Sequence, residues 1–176
     1  MEFEDVIRKR RSIRQFEPEP IPDETIRKIL ALSQHAPSAG NLQAYRILVV
    51  TDSNGKGTLK NATYSKLNNA KQDWAFGAPV IIVICADTEA SAERFGERGR
   101  DTYSIQDATL FAAYAQLVIT SFGLASGWIG NVEEQALKDA FHLPEYLRIV
   151  ALIPFGHPAG EPKPFERKSL NDILLG

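Results

Sequence analysis

The chain is poor in the residues that build redox or metal centres from protein atoms. Its 176 residues include one cysteine, Cys85, so neither an internal disulfide nor a thiolate cluster can form. The three histidines, His35, His142 and His157, lie far apart and lack zinc-ligand spacing, so no metal site is expected. Ser12 and Ser38 have no His/Asp arrangement of the acyl-transfer kind. No apolar run reaches the roughly 18 residues of a membrane span. Neither sign of charge dominates: 20 Lys and Arg stand against 22 Asp and Glu, and no basic block marks a nucleic-acid surface. Met1 to Arg10 is charged and lacks the apolar core of a secretory leader. These absences predict a cytoplasmic protein with no membrane or nucleic-acid partner.

The composition that remains, 44% apolar and 24% charged, is that of a soluble globular chain, and one domain over residues 1–176 is expected. Helical spacing of Phe3, Val6, Ile7 and Arg10 predicts a helix over 3–10. Pro22 and Asp23 start a second helix, with Ile26, Ile29 and Leu30 as its stripe, ending near His35 ahead of Pro37. Apolar runs predict buried strands over 46–51, 79–86 and 149–155. Cys85 falls in the second run and reads as a small hydrophobe. Residues 52–57 read as a turn and 58–67 as a helix. Residues 89–100 are charged and exposed, either helical or a mobile flap.

The longest helix should span 104–122, apolar over much of its circumference, with Gly123 as its stop. Residues 128–130 suggest a short strand or loop, 133–141 a surface helix, and 161–176 an irregular tail. Strands alternating with helices predict a central sheet covered on both faces. A doubly wound dinucleotide fold is disfavoured, because no Gly-x-Gly-x-x-Gly follows the first strand.

Two motifs remain. Arg10-Arg11-Ser12-Ile13-Arg14 puts three arginines within five residues; they repel one another, and an anion would relieve that. The other reading is a solvated charged face. Ala36-Pro37-Ser38-Ala39-Gly40-Asn41-Leu42-Gln43 combines small residues with hydroxyl and amide groups, suited to a flat polar ring and equally to an ordinary turn. Taken together they suggest flavin mononucleotide (FMN) gripped at its phosphate and at its ring.

With Ala78-Pro79, Phe122-Gly123-Leu124 through Trp128-Ile129-Gly130, Leu143-Pro144, Phe155-Gly156-His157-Pro158 and Arg167-Lys168-Ser169-Leu170, the ordered set resembles the FMN-dependent nitroreductase family. The resemblance implies an α+β fold of three layers, α/β/α, with a mainly antiparallel sheet. It also implies an interlocked homodimer with FMN sites at the subunit interface. By that pattern Arg10, Ser12 and Arg167 reach the phosphate or ribityl chain, with Arg11 a further candidate. Arg14 lies near the pyrimidine edge and tunes the flavin. Pro37, Ser38, Ala39, Asn41 and Gln43 embrace the ring from the partner subunit. The Ile129 and Gly130 backbone lies near flavin N5, and Gln72 is a looser candidate. No side chain is expected as a catalytic acid or base. Where the family commonly continues with Pro-Trp, this chain has Ala44-Tyr45, which puts the substrate pocket in question.

The implied activity is hydride transfer from NAD(P)H through the flavin to a nitroaromatic, quinone or similar small acceptor, by ping-pong kinetics. Alternatives are a same-fold enzyme of reductive dehalogenation or flavin modification, with 89–100 as its lid, a non-catalytic FMN-binding redox sensor, or a globular interaction protein without cofactor. The physiological acceptor and the choice between NADH and NADPH are not written in the sequence.

Overall fold

Four strands form one sheet, and the chain's most apolar run lies at its centre. They are β1 (Tyr45–Val50), β2 (Val80–Asp87), β3 (Ala125–Ser126) and β4 (Leu147–Gly156), in spatial order β1-β2-β4-β3, every pairing antiparallel. The computed structural model describes residues 1–63, 70–160 and 165–175, with the side chains of residues 70–72 outside that description.

β2 is buried along its whole length because both faces are covered, which is why it reads as an unbroken apolar run. Val80, Ile82, Ile84 and Ala86 enter one core, and Ile81, Val83 and Cys85 enter the other. β4 changes phase midway. Ile84 pairs with Ala151 and Cys85 with Ile149, so Val150 is the extra residue of a bulge. Leu147 and Ile149 therefore face the second core, whereas Ala151, Ile153 and Phe155 face the first.

On the first face lie α2 (Asp23–Ser33) and α5 (Ser104–Ser121), and on the second α3 (Ser53–Thr63) and α6 (Glu134–Phe141). The short α1 (Phe3–Lys9) rests against α5. The result is the three-layer α+β arrangement expected. α5 buries Ala108, Phe111, Ala112, Ala115 and Ile119 in the first core. Its opposite side leaves Leu110, Tyr114 and Phe122 exposed, so the single chain covers only part of this apolar helix.

Some local expectations change. α3 begins at Ser53, inside the segment read as a turn. The Asp52 carboxylate accepts the Gly55 N–H at 2.8 Å, and this N-terminal capping starts the helix despite Gly55 and Gly57. The far end expected for that helix, 64–67, lies outside the described residues. Residues 88–98 form a helix, α4 (Thr88–Arg98), capped by Asp87 and bent at Gly96, whose φ is 61°. A π-helical turn, Gly99–Tyr103, joins it to α5. α6 ends at His142, which takes a left-handed φ of 52°. Cys85 is buried, and its thiol is pushed up to about 11 by desolvation first and by Glu134 second. No helix among the described residues is long and apolar enough to cross a membrane.

Candidate functional site

α1 unwinds at Arg10, whose ψ of 121° is extended while its N–H still reaches the Val6 carbonyl. The chain then runs along the sheet's β3 edge. Ser12 bridges Ser126, and the Ile13 N–H donates to the Ser126 carbonyl at 2.9 Å. Ile13 is buried, while its neighbours Ser12 and Arg14 face outward. Further on, the Glu17 N–H donates to the His157 carbonyl, and Phe16 stacks on Trp74 with centroids 6.4 Å apart. Trp74 also covers Gly127, where a Cβ would stand 2.5 Å from Cη2 of the indole. Glycine at 127 is what allows that close approach. From α5, the Gln116 amide reaches both Ser126 Oγ and the Gly127 carbonyl at 3.4 Å.

This strap brings cations together from the two ends of the sequence. The Arg10 guanidinium has its pKa pushed below the usual value, first by burial, then by the charge of Arg167, then by Arg11. Among the described residues, no carboxylate pairs with Arg10 or Arg167. Arg11 turns back and donates to the carbonyls of Arg8 and of Arg10, closing the C-terminal end of α1. A partly buried Arg10 near the exposed Arg167, with no carboxylate on either among the described residues, suits a phosphate dianion, so the donor set fits the group that the sequence suggests.

The Ile129 N–H and carbonyl are both engaged with Leu152 at 2.9 Å, and its side chain is buried in the second core. Gly130 is exposed, and among the described residues its N–H makes no hydrogen bond. Of these two, only Gly130 retains a backbone donor for a ligand. Gln72 falls in a 3₁₀ segment, Ala70–Gly77, and its side chain lies outside the described residues.

The second motif forms a tight loop between α2 and β1. Gly40, Asn41 and Gln43 take left-handed φ values of 54°, 56° and 50°. Hydrogen bonds hold this backbone. The Gln43 N–H donates to Ser38 Oγ at 3.0 Å, the Gln43 side-chain amide donates to the Asn41 carbonyl and Oδ1, and Arg94 of α4 donates to the Gly40 carbonyl at 2.9 Å. Pro37 and Asn41 are exposed, and Ser38 and Ala39 are half-buried. Ser38, Ala39, Tyr103, Gln106, Asp107 and Leu110 line an open groove of about 490 Å³. Tyr45 is not part of that groove: its ring is buried 4.7 Å from Phe111.

Asp107 escaped the sequence reading. It is buried on α5, and its carboxylate accepts the Ala39 N–H at 2.8 Å. Its carboxyl pKa is raised by burial, against the opposing pull of the Ala39 and Ala44 N–H groups. The available signal was an acid between the core positions Ala108 and Phe111 and the start of a buried helix.

The two motifs do not converge within one chain. The loop is tied to α5 at Asp107, and the arginine strap is tied to it near Gln116 and Thr120. Nine to thirteen helical residues separate these anchors, about 14–20 Å along the axis.

A family model described as "Nitroreductase family" matches residues 7–157. The chain belongs to the nitroreductase family. A curated relative from Thermus thermophilus, an NADH dehydrogenase, is 28% identical over 95% of this chain and 92% of its own length. Another, an iodotyrosine deiodinase of Thermotoga neapolitana, is 24% identical over 97% of this chain and 95% of its own. A structure from Exiguobacterium sibiricum 255-15, solved in complex with FMN, superposes with a TM-score of 0.89 at 21% identity, covering 100% of this chain and 97% of that one; at that identity it shows the shared fold. The span of names within this nitroreductase family leaves the acceptor to be argued from the site.

Proposed function

We propose that this nitroreductase-family chain binds FMN and passes reducing equivalents from NAD(P)H to a small planar acceptor, a nitroaromatic or a quinone. The observation that carries the reading is a partly buried Arg10 that feels the charge of Arg167 from the far end of the sequence, with no carboxylate paired to either among the described residues. Arg10, Ser12 and Arg167 bind the phosphate and the adjoining ribityl hydroxyls, and Arg11 adds positive field while it caps α1. Arg14, exposed beside the strap, stabilises negative charge at the pyrimidine edge. The Gly130 N–H, without a partner among the described residues, orients the ring by donating to it. Bound there, FMN supplies two-electron hydride chemistry at its N5 atom. The chain supplies no side-chain acid; it orders the ring, leaves one face open to successive planar partners and so favours ping-pong kinetics.

The ring contacts of Pro37, Ser38, Ala39, Asn41 and Gln43 come from a second copy of the chain. The separation of the two motifs along α5 supports this, as does that helix's exposed Leu110, Tyr114 and Phe122. The described tail also exposes Phe165, Leu170, Ile173 and Leu174, a run suited to lying across a partner.

The test is a spectrum, then a titration. The purified protein should be yellow, or become so with added FMN; NADH or NADPH should bleach it without oxygen, and a quinone or nitroaromatic should restore the colour. Light scattering should give twice the chain mass. A protein that stays colourless with excess FMN overturns the reading, and bleaching without reoxidation by any acceptor reduces it to a flavin-binding sensor.

A further inference from the structure

Gly40, Asn41 and Gln43 are all left-handed, a conformation that only glycine adopts without steric cost. Gln43 carries a steric penalty of about 1 kcal/mol or more there, and Asn41 a smaller one. The surrounding bonds must hold the loop in it. The rest of the loop's bonds are short-range, come from the exposed Arg94, or join the Ala44 carbonyl to the Asp87 N–H at the end of β2. Asp107 differs. It is 2% exposed, sits on the most deeply packed helix, and accepts the Ala39 N–H at 2.8 Å across 68 residues of sequence. Its second oxygen is buried with no partner among the described residues. A core position has been given to a half-satisfied carboxylate, although an alanine or leucine there would extend the stripe of α5. Such a group is costly to bury, so its one firm hydrogen bond is where its effect must be sought.

We infer that Asp107 is a positioning residue: by holding the Ala39 amide it sets the left-handed loop that presents Ser38, Asn41 and Gln43 to the flavin. This rests on the FMN reading above. Since that loop serves the ring bound to the other copy, Asp107 of each chain acts on its neighbour's site. The Ala44 N–H also favours the ionised carboxylate, after the Ala39 N–H. Tyr45 follows at once and carries the same acid's influence: its hydroxyl pKa is raised by burial first and by Asp107 second.

The experiment uses the full-length protein with and without FMN, and three variants. Asp107→Asn keeps the shape but exchanges a charged acceptor for a neutral one. Ala39→Pro removes the donor at the first position of the 3₁₀ turn, where proline is tolerated, and leaves α5 intact. Thr63→Ala deletes a buried hydroxyl that bonds the Leu59 carbonyl on the far face of the sheet. Amide hydrogen exchange of the flavin-free protein and visible circular dichroism of bound FMN are the two readouts that general destabilisation would not move together.

Asp107→Asn and Ala39→Pro should each weaken FMN roughly tenfold, the equivalent of one charge-assisted hydrogen bond, and alter the dichroism of the bound flavin. Asp107→Asn should speed exchange of the Ala39 amide at least tenfold while β2 stays protected. Thr63→Ala should lower Tm and change neither readout. Wild-type exchange at Ala39 in Asp107→Asn overturns the inference, and so does a uniform rise that includes β2. Should Asp107→Asn fail to fold, Ala39→Pro decides, and its wild-type affinity and dichroism overturn the inference. A wild-type protein that binds no FMN removes the proposed function instead, and the exchange arm still judges the role of Asp107 in the loop.

Discussion

Residues 10–14 gather three arginines with no described carboxylate to pair with Arg10, whereas residues 37–43 gather three left-handed backbones with a hydrogen bond at nearly every step. Both segments are held away from their relaxed states. In the first the opposition is between like charges, and nothing among the described residues removes it; an incoming anion would. In the second the opposition is steric, and the chain itself resolves it through Asp107, Ser38 and Arg94. Ligand removal should therefore leave the arginine strap worse off and the loop much as it was. Every substitution below asks whether that division holds.

The largest effect belongs to the arginines. Replacing Arg10 and Arg167 together by alanine should weaken FMN by more than 100-fold, because each charge-assisted contact contributes about 1.5–3 kcal/mol. The flavin-free protein should melt no lower than wild type, since the substitution removes a guanidinium whose charged form is disfavoured first by burial and then by the charge of Arg167. Fluorescence titration and a thermal melt without flavin check the two halves. A fall in the flavin-free Tm would mean the arginines are structural, and the contrast with the loop would be lost.

Gly40→Ala probes the other side. Its φ of 54° disfavours any Cβ, and that Cβ would stand 2.8 Å from the Arg94 guanidinium. The arginine end can move aside, so the backbone supplies most of the cost, about 1–2 kcal/mol. Here the flavin-free Tm should fall, with FMN affinity dropping roughly tenfold, by the 1.4 kcal/mol conversion. Gly57→Ala, inside α3 with nothing within 4 Å of the new Cβ, should instead raise stability by up to about 1 kcal/mol. Equal effects at the two glycines would show that position 40 carries no conformational demand.

Arg14 sits on the strap yet is not needed to hold the phosphate, so its loss should separate binding from tuning. Arg14→Ala should lower the midpoint potential of the bound flavin by about 30 mV, equivalent to some 1.4 kcal/mol for two electrons. Affinity for oxidised FMN should change little. Spectroelectrochemical titration against a reference dye reads this directly, and an unchanged potential would remove Arg14 from the ring.

Much of this was visible in the residues. β2, α5 and the helix starting at Asp23 follow from apolar runs and 3.6-residue spacing, because burial is what those patterns record. The arginine strap was visible as charge crowding, and its partnership with Arg167 came from the resemblance. The bulge at Val150 was not visible: a strand buried on both faces looks the same in either phase. The early start of α3 was hidden by two glycines, since an aspartate cap outweighed a composition that reads as a turn. Asp107 was hidden for a related reason. A lone acid inside a long helical pattern looks like a surface position, and only packing shows that the surface there is a loop brought from 68 residues away.

Tyr45→Phe should have the smallest effect and is the finest test of the loop's self-sufficiency. The Tyr45 ring packs 4.7 Å from Phe111, but its hydroxyl is buried with no partner among the described residues. Phenylalanine keeps the packing and deletes an unsatisfied polar atom, so stability should rise by up to about 1 kcal/mol and Tm by roughly 2–4 °C. FMN affinity should not move, because Asp107 acts on the loop through a backbone amide and not through this hydroxyl. A clear loss of affinity would mean that the phenol belongs to the loop's support. The loop would then depend on an atom that is unsatisfied without ligand, as the arginines do, and the difference between the two segments would be one of degree.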